Sequence, residues 1–212
     1  MVFNINYRLV PDVTVNQQLQ DVARALRWIR DHGSQYPCDM RNIMLTGDSA
    51  GGQLAAYSAV LMQSAQLRKT FDTVDPQMEL TALLLTSPVA FMRDGGLFSL
   101  YTKPMWGTDY KDKATYPYMD FDQIIDYAQA LPPTYLITSS GDTLANKQTH
   151  RLYEVLQAHG VQAEIKDYAK AEYNQSLPHV FSVLQPFEPA GTAAIDKALA
   201  FYQQAMTAKA AQ

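Results

Sequence analysis

The segment Gly47-Asp48-Ser49-Ala50-Gly51-Gly52 sets a serine between glycines at Gly-x-Ser-x-Gly spacing. A serine forced into a tight strand-to-helix turn takes strained dihedrals, and glycines on either side let the neighbouring backbones pass without a Cβ clash. Its hydroxyl would then stand clear of the strand end. The N-terminus of the following helix would aim the Ala50 N–H at a developing oxyanion. A hydroxyl is a poor nucleophile until a base takes its proton, and that base must be held in one tautomer. The chain has four histidines. His32 and His159 each precede a glycine in a last helical turn and His150 lies inside a helix, which suits surface residues better than a base. His179, in Leu177-Pro178-His179, sits on a loop after a strand and is the candidate base. Asp142, in Ser139-Ser140-Gly141-Asp142 at a strand end, is the candidate acid, with Asp167 and Glu172 as alternatives. Asp48 reads as a structural hydrogen-bonder. A plain glycine turn and an ordinary loop histidine would match the same residues, so the surrounding elements carry the weight.

Those elements alternate. Val2 to Tyr7 reads as a strand and is followed by a turn at Pro11-Asp12. Thr14 and Gln17 have capping-box spacing. Val15, Leu19, Val22, Leu26 and Ile29 then mark one helical face, which Gly33 ends. Ile43 to Thr46 predicts a buried strand leading into the serine turn, and a helix follows from Ala50 to Leu67. Leu80 to Thr86 and Thr134 to Thr138 are further buried strands. A helix from Asn146 to His159 closes at Gly160, Val161 to Tyr168 is the last strand, and a helix runs from Ala190 to Met206. Ile195, Leu199, Tyr202 and Met206 form its expected apolar face. Short strands, several of them apolar on both faces, alternating with longer helices predict the α/β class: a mostly parallel sheet flanked by helices.

The bulk properties narrow the function. At 212 residues, 47% hydrophobic and 18% charged, the chain suits one domain with a real core, residues 1–212. A net charge of -4 gives no reason to expect nucleic acid as a partner. No metal-ligand spacing and no cofactor motif occurs. The N-terminus lacks a signal-peptide pattern and no apolar run is long enough to span a membrane. The lone Cys38 suits a reducing compartment, so a cytoplasmic location is expected.

Taken together, several stretches resemble a known group, the hormone-sensitive-lipase-like esterases of the α/β-hydrolase superfamily. They are Asn6-Tyr7-Arg8-Leu9-Val10-Pro11, Asp21 with Ala25, Leu26 and Trp28, the Gly47–Gly52 segment, Leu131-Pro132-Pro133-Thr134, Gly141-Asp142-Thr143-Leu144 and Pro178-His179-Val180-Phe181. The resemblance spans residues 6 to about 202. It implies the chain order Ser49, Asp142, His179 for nucleophile, acid and base. It also implies cofactor-free hydrolysis of small carboxylic esters through an acyl-enzyme.

One departure stands out. The family's His-Gly-Gly-Gly segment, which supplies oxyanion donors upstream of the Tyr-Arg-Leu stretch, has no counterpart here. About five strands of the family sheet are therefore expected, in an N-terminally truncated version. The second oxyanion donor is unassigned, at a typical cost of about 10²- to 10³-fold in rate. An exposed sheet edge would favour a homo-oligomer. The chain has 13 Tyr, 8 Phe and 2 Trp. Nine of these fall in the aperiodic stretch 91–130: Phe91, Phe98, Tyr101, Trp106, Tyr110, Tyr116, Tyr118, Phe121 and Tyr127. That stretch reads as a lid and pocket for apolar or aromatic esters, or as packing of the insertion on the body. Two other functions fit the same residues: an impaired hydrolase fold kept as a binding module, and an amidase or peptidase.

Overall fold

The computed structural model describes residues 1–93 and 97–211, and the backbone alone for residues 97–99. Residues 94–96 of the expected lid and the Phe98 ring thus lie outside the described residues. In chain order the elements are α1 Val15–His32, β1 Met44–Asp48, α2 Ala50–Leu61, α3 Ala65–Phe71, β2 Ala82–Thr86 and α4 Leu97–Trp106. Then come β3 Thr134–Ser139, α5 Asn146–Ala158, β4 Ala163–Tyr168, α6 Lys170–Tyr173, α7 Phe181–Leu184 and α8 Pro189–Ala210. The chain divides into two compact units.

One unit comprises Asn42–Ala56, Leu80–Ala90 and Leu131–Gln212. It holds a four-stranded sheet in the order β1-β2-β3-β4, every pair parallel. Parallel pairing puts all the C-terminal strand ends on one edge, where ligands of open α/β sheets bind. Every residue of β3 is buried, and so is all of β2 except Leu84. That agrees with their uninterrupted apolar runs. β1 was expected to be buried, but it is an edge strand and partly exposed. α5 packs on β3 and β4, and α8 on β2 and β3.

The face that α8 turns inward differs from the expected one. Ala190, Ala194, Ala198, Phe201 and Ala205 are buried, whereas Ile195 is 38% and Leu199 47% exposed. A stripe of alanines lets a helix axis approach the sheet closely, and Tyr135, Ile137 and Phe201 fill the core beneath it. Hydrophobicity alone favours Ile and Leu; the fit of small residues decided otherwise. Val183, Leu184 and Phe187 stand exposed on the same unit.

The other unit comprises Met1–Arg41, Tyr57–Glu79 and Phe91–Ala130. α1 forms as expected. Gln17 Oε1 accepts the Thr14 N–H at 2.9 Å, and Val15, Leu19, Val22, Leu26 and Ile29 are all buried. The single helix expected from Ala50 to Leu67 is broken between α2 and α3. Ser64 accepts the Leu67 N–H and starts a new helix, and the Arg68 guanidinium donates to the Leu61 and Met62 carbonyls that α2 leaves open. Val2 to Tyr7 forms no strand. Phe3, Ile5 and Tyr7 are half-buried and the residues between them exposed, so the period of two is present without a strand ladder. Periodicity reports extended backbone; a strand also needs a neighbour to take its hydrogen bonds.

Residues 97–130 contain α4 and four single 3₁₀ turns. Asp120 holds the backbone ahead of this stretch, its Oδ1 accepting the Met92 and Arg93 N–H groups at 2.6 and 3.0 Å. Several of the predicted aromatics are committed to this unit's own core. Tyr57 touches Phe71, Trp106 and Phe121, and all four are buried. No helix among the described residues is long and apolar enough to cross a membrane.

Candidate active site

The serine turn is built at the end of β1. Ser49 has φ 51°, in the left-handed region that non-glycine residues rarely adopt. Two bonds to the end of β2 hold it there: Ser49 N–H donates to the Thr86 carbonyl at 3.0 Å, and Val89 N–H donates to the Ser49 carbonyl at 3.2 Å. Gly47 is required by a close approach, because a Cβ there would stand 2.2 Å from the Gly51 carbonyl oxygen. α2 begins at Ala50. The first N–H groups of a helix have no intrahelical acceptor, so the Ala50 N–H suits an anion.

Asp142 follows β3 by three residues, and its side chain is fully shielded from solvent. Its Oδ1 accepts the Leu144 and Ala145 N–H groups at 3.0 and 2.9 Å. His179, expected on a loop directly after a strand, lies beyond the short α6 that follows β4, between Pro178 and Val180, the latter at φ 52°. The three side chains expected to act together are brought together. His179 Nε2 lies 2.8 Å from Ser49 Oγ, and Nδ1 lies 3.1 and 3.0 Å from the two Asp142 oxygens. The pairing assigns Nδ1–H as donor to the carboxylate and leaves Nε2 to accept the serine proton.

Burial pushes the Asp142 carboxyl up. The bond from His179, the Ala145 N–H, the nearby Ser87 hydroxyl and the imidazole charge outweigh it and hold the group below the ordinary carboxylate range. The Ser87 hydroxyl is itself buried and has no hydrogen bond of ordinary geometry. An anionic acid behind a histidine orients the ring and stabilises the imidazolium that forms during proton transfer.

The competing candidates are occupied elsewhere. Asp167 accepts from Asn146 Nδ2 and pairs with His150 Nε2, each at 2.9 Å. Glu172 pairs with Lys166 at 3.1 Å. His32 bonds the Trp28 carbonyl and His159 the Val155 carbonyl. Asp48 is exposed on the edge strand. Among the described residues no group of three or more His, Cys, Asp or Glu is placed to hold a metal.

Two serines passed over in the sequence stand beside this constellation. Ser87 follows β2 with φ 46°, and Ser139 ends β3, fully buried. The signal was available: β2 and β3 each run through a threonine into a serine just past the last apolar residue, Leu85 and Ile137.

Known proteins share this architecture. A probable carboxylic ester hydrolase of Mycobacterium tuberculosis, LipM, is 27% identical over 201 residues, covering 92% of this chain and 46% of that protein. An acetyl esterase of Salmonella choleraesuis is 25% identical over 182 residues, 79% of this chain and 53% of its own length. The chain spans about half the length of these curated relatives. Among solved structures, esterase B from Lactobacillus rhamnosis superposes with a TM-score of 0.88 at 29% identity, over 97% of this chain and 66% of that one. The same esterase inhibited by a tributyrin phosphonate gives 0.84. The family described as alpha/beta hydrolase fold matches residues 1–177, and the sheet, the serine turn and the resemblance to hormone-sensitive-lipase-like esterases all agree with it. By that match, the chain belongs to the alpha/beta hydrolase fold family.

Proposed function

We propose that this protein is a serine carboxylester hydrolase acting on small apolar or aromatic esters through an acyl-enzyme. The observation that carries the reading is the unbroken contact from Ser49 Oγ to His179 Nε2 and from His179 Nδ1 to the Asp142 carboxylate. His179 Nε2 takes the Ser49 hydroxyl proton as Oγ bonds to the ester carbonyl carbon. The Ala50 N–H stabilises the resulting oxyanion. His179 then gives its proton to the alkoxy oxygen as the carbon–oxygen bond breaks and the alcohol leaves. Water repeats the sequence on the acyl-serine, its proton passing through His179 back to Ser49.

The esterase names of the relatives support an ester over an amide. The aromatic stretch 91–130 is the source proposed for substrate preference. Rings already packed on Tyr57, such as Trp106 and Phe121, are excluded from that role. The exposed Val183, Leu184 and Phe187, the last 96% exposed, support self-association. The free thiol of Cys38 supports a reducing, cytoplasmic setting.

The test is fluorophosphonate labelling with mass spectrometry, beside p-nitrophenyl acetate hydrolysis. Stoichiometric modification at Ser49, lost in Ser49→Ala together with turnover, is the expected result. Absence of labelling on the folded chain would favour a binding module, and faster cleavage of the matching anilide would favour an amidase.

A further inference from the structure

Ser139 is bonded to the loop that carries the acid and to the loop that carries the base. Its Oγ–H donates to the Leu177 carbonyl at 2.6 Å, within a fully buried environment. Its own carbonyl accepts the Asp142 N–H at 3.0 Å and the Asn146 side-chain amide at 2.9 Å. Leu177 lies two residues before His179 and Asp142 three residues after Ser139. One residue therefore ties the loop of the acid to the loop of the base.

A second observation marks the same contact. A Cβ at Gly141 would stand 2.5 Å from the Leu177 carbonyl oxygen. The acid loop passes against the very carbonyl that Ser139 holds, and only a glycine fits there. The base loop needs such an anchor. It is flanked by Asn174 and Val180, both in the left-handed region at φ 48° and 52°. A β-branched residue holds that conformation only when its surroundings impose it. Removing the Ser139 hydroxyl would leave the Leu177 carbonyl without this donor.

We propose that Ser139 is a positioning residue, whose hydroxyl bond to the Leu177 carbonyl sets the spacing of His179 from Asp142 and so the competence of His179 as base. The proposal rests on the Ser49–His179–Asp142 reading. A small loss of register between base and nucleophile is enough to matter, since displacement on the order of 1 Å can cost about 10²-fold in rate.

The experiment measures fluorophosphonate inactivation of the full chain, for the parent, Ser139→Ala, Ser139→Cys and Ser49→Ala. Cysteine is a weak donor, and its larger sulfur cannot reproduce the 2.6 Å contact with the Leu177 carbonyl. In both Ser139 variants the maximal inactivation rate per titratable site should fall about 10- to 100-fold while the half-saturating inhibitor concentration holds within about twofold. The acid limb of that rate against pH should also be displaced from the parent's, which a merely structural role would not do. A loss of folded protein lowers only the number of titratable sites and leaves the rate and its pH limb unchanged. Parental rate and pH limb in Ser139→Cys would overturn the positioning role. Labelling that persists in Ser49→Ala would instead sink the underlying serine reading, so the two failures are distinguishable.

Discussion

Asp142 meets His179 with both carboxylate oxygens at once, at 3.1 and 3.0 Å from the same ring nitrogen, while its Oδ1 also accepts the Leu144 and Ala145 N–H groups. Every donor around this carboxylate points inward, so the site tolerates acceptors only. An Asn at this position would turn an NH₂ either toward Nδ1–H or toward the Leu144 and Ala145 amides. The first choice drives the imidazole to the wrong tautomer and the second breaks the loop. Asp142→Asn is therefore expected to lower kcat by about 10⁴-fold, the scale found when a triad aspartate loses its charge and the histidine flips tautomer. KM for p-nitrophenyl acetate should change little, and steady-state kinetics at pH 7 measures both.

The same substitution has a signature in stability. Asp142 is held below the ordinary carboxylate range in the fold. A carboxyl with a depressed folded value contributes stability that is fully present above its unfolded value, near pH 4, and is lost as pH falls through the folded one. The parent should therefore outlast Asp142→Asn in urea at pH 6, and the gap should narrow as the pH falls below about 4. Equal gaps at pH 6 and pH 3 would show that the carboxylate charge is not what the fold uses.

Gly47 yields a third expectation. Its would-be Cβ is 2.2 Å from the Gly51 carbonyl oxygen and 2.4 Å from the carbonyl carbon, both backbone atoms that cannot rotate away. Gly47→Ala must push the first turn of α2 off the end of β1. A cost of about 3 kcal/mol is expected, the upper part of the usual range for single substitutions, with loss of fluorophosphonate labelling at Ser49. Gly52→Ala is milder, because its Cβ would meet Pro88 at 3.0 to 3.1 Å. Urea midpoints for the two variants should rank in that order.

What could be read from the sequence follows the range of the forces involved. α1 was legible from Thr14, Gln17 and the Val15–Ile29 series because capping and amphipathic spacing are local. The serine turn and the Asp142 position were legible because strand ends and glycines leave local marks, whereas His179 stood out because the other three histidines lie in or at the ends of helices. Val2–Tyr7 misled because alternation describes one strand, whereas pairing needs a second. α8 misled because close packing of Ala194 and Ala198 outweighed the greater hydrophobicity of Ile195 and Leu199. The bond from Ser139 to Leu177 spans 38 residues and ends on a backbone carbonyl, which carries no side-chain signature at all.

Asp120 provides the opposite electrostatic case from Asp142, in the other unit. It is buried, and burial raises its carboxyl above the ordinary value despite the Arg93 and Met92 N–H bonds and the Arg93 charge, with Asp122 adding to the rise. Folding thus favours the protonated acid more than the unfolded chain does. The sign is reversed: for such a group stability is fully present below the unfolded value, near pH 4, and is lost as pH rises through the raised folded one. Asp120→Asn keeps a side-chain oxygen for the Met92 and Arg93 amides and removes the charge. The variant should gain on the parent as pH rises from about 3 to 7, seen as a urea midpoint that moves ahead of the parent's. With Asp142→Asn the parent gains over the same interval, so the two substitutions should give pH dependences of opposite slope. A constant Asp120→Asn difference would mean that the two backbone amides just offset the burial, and a slope the same way as that of Asp142→Asn would mean that they outweigh it and Asp120 is a stabilised anion.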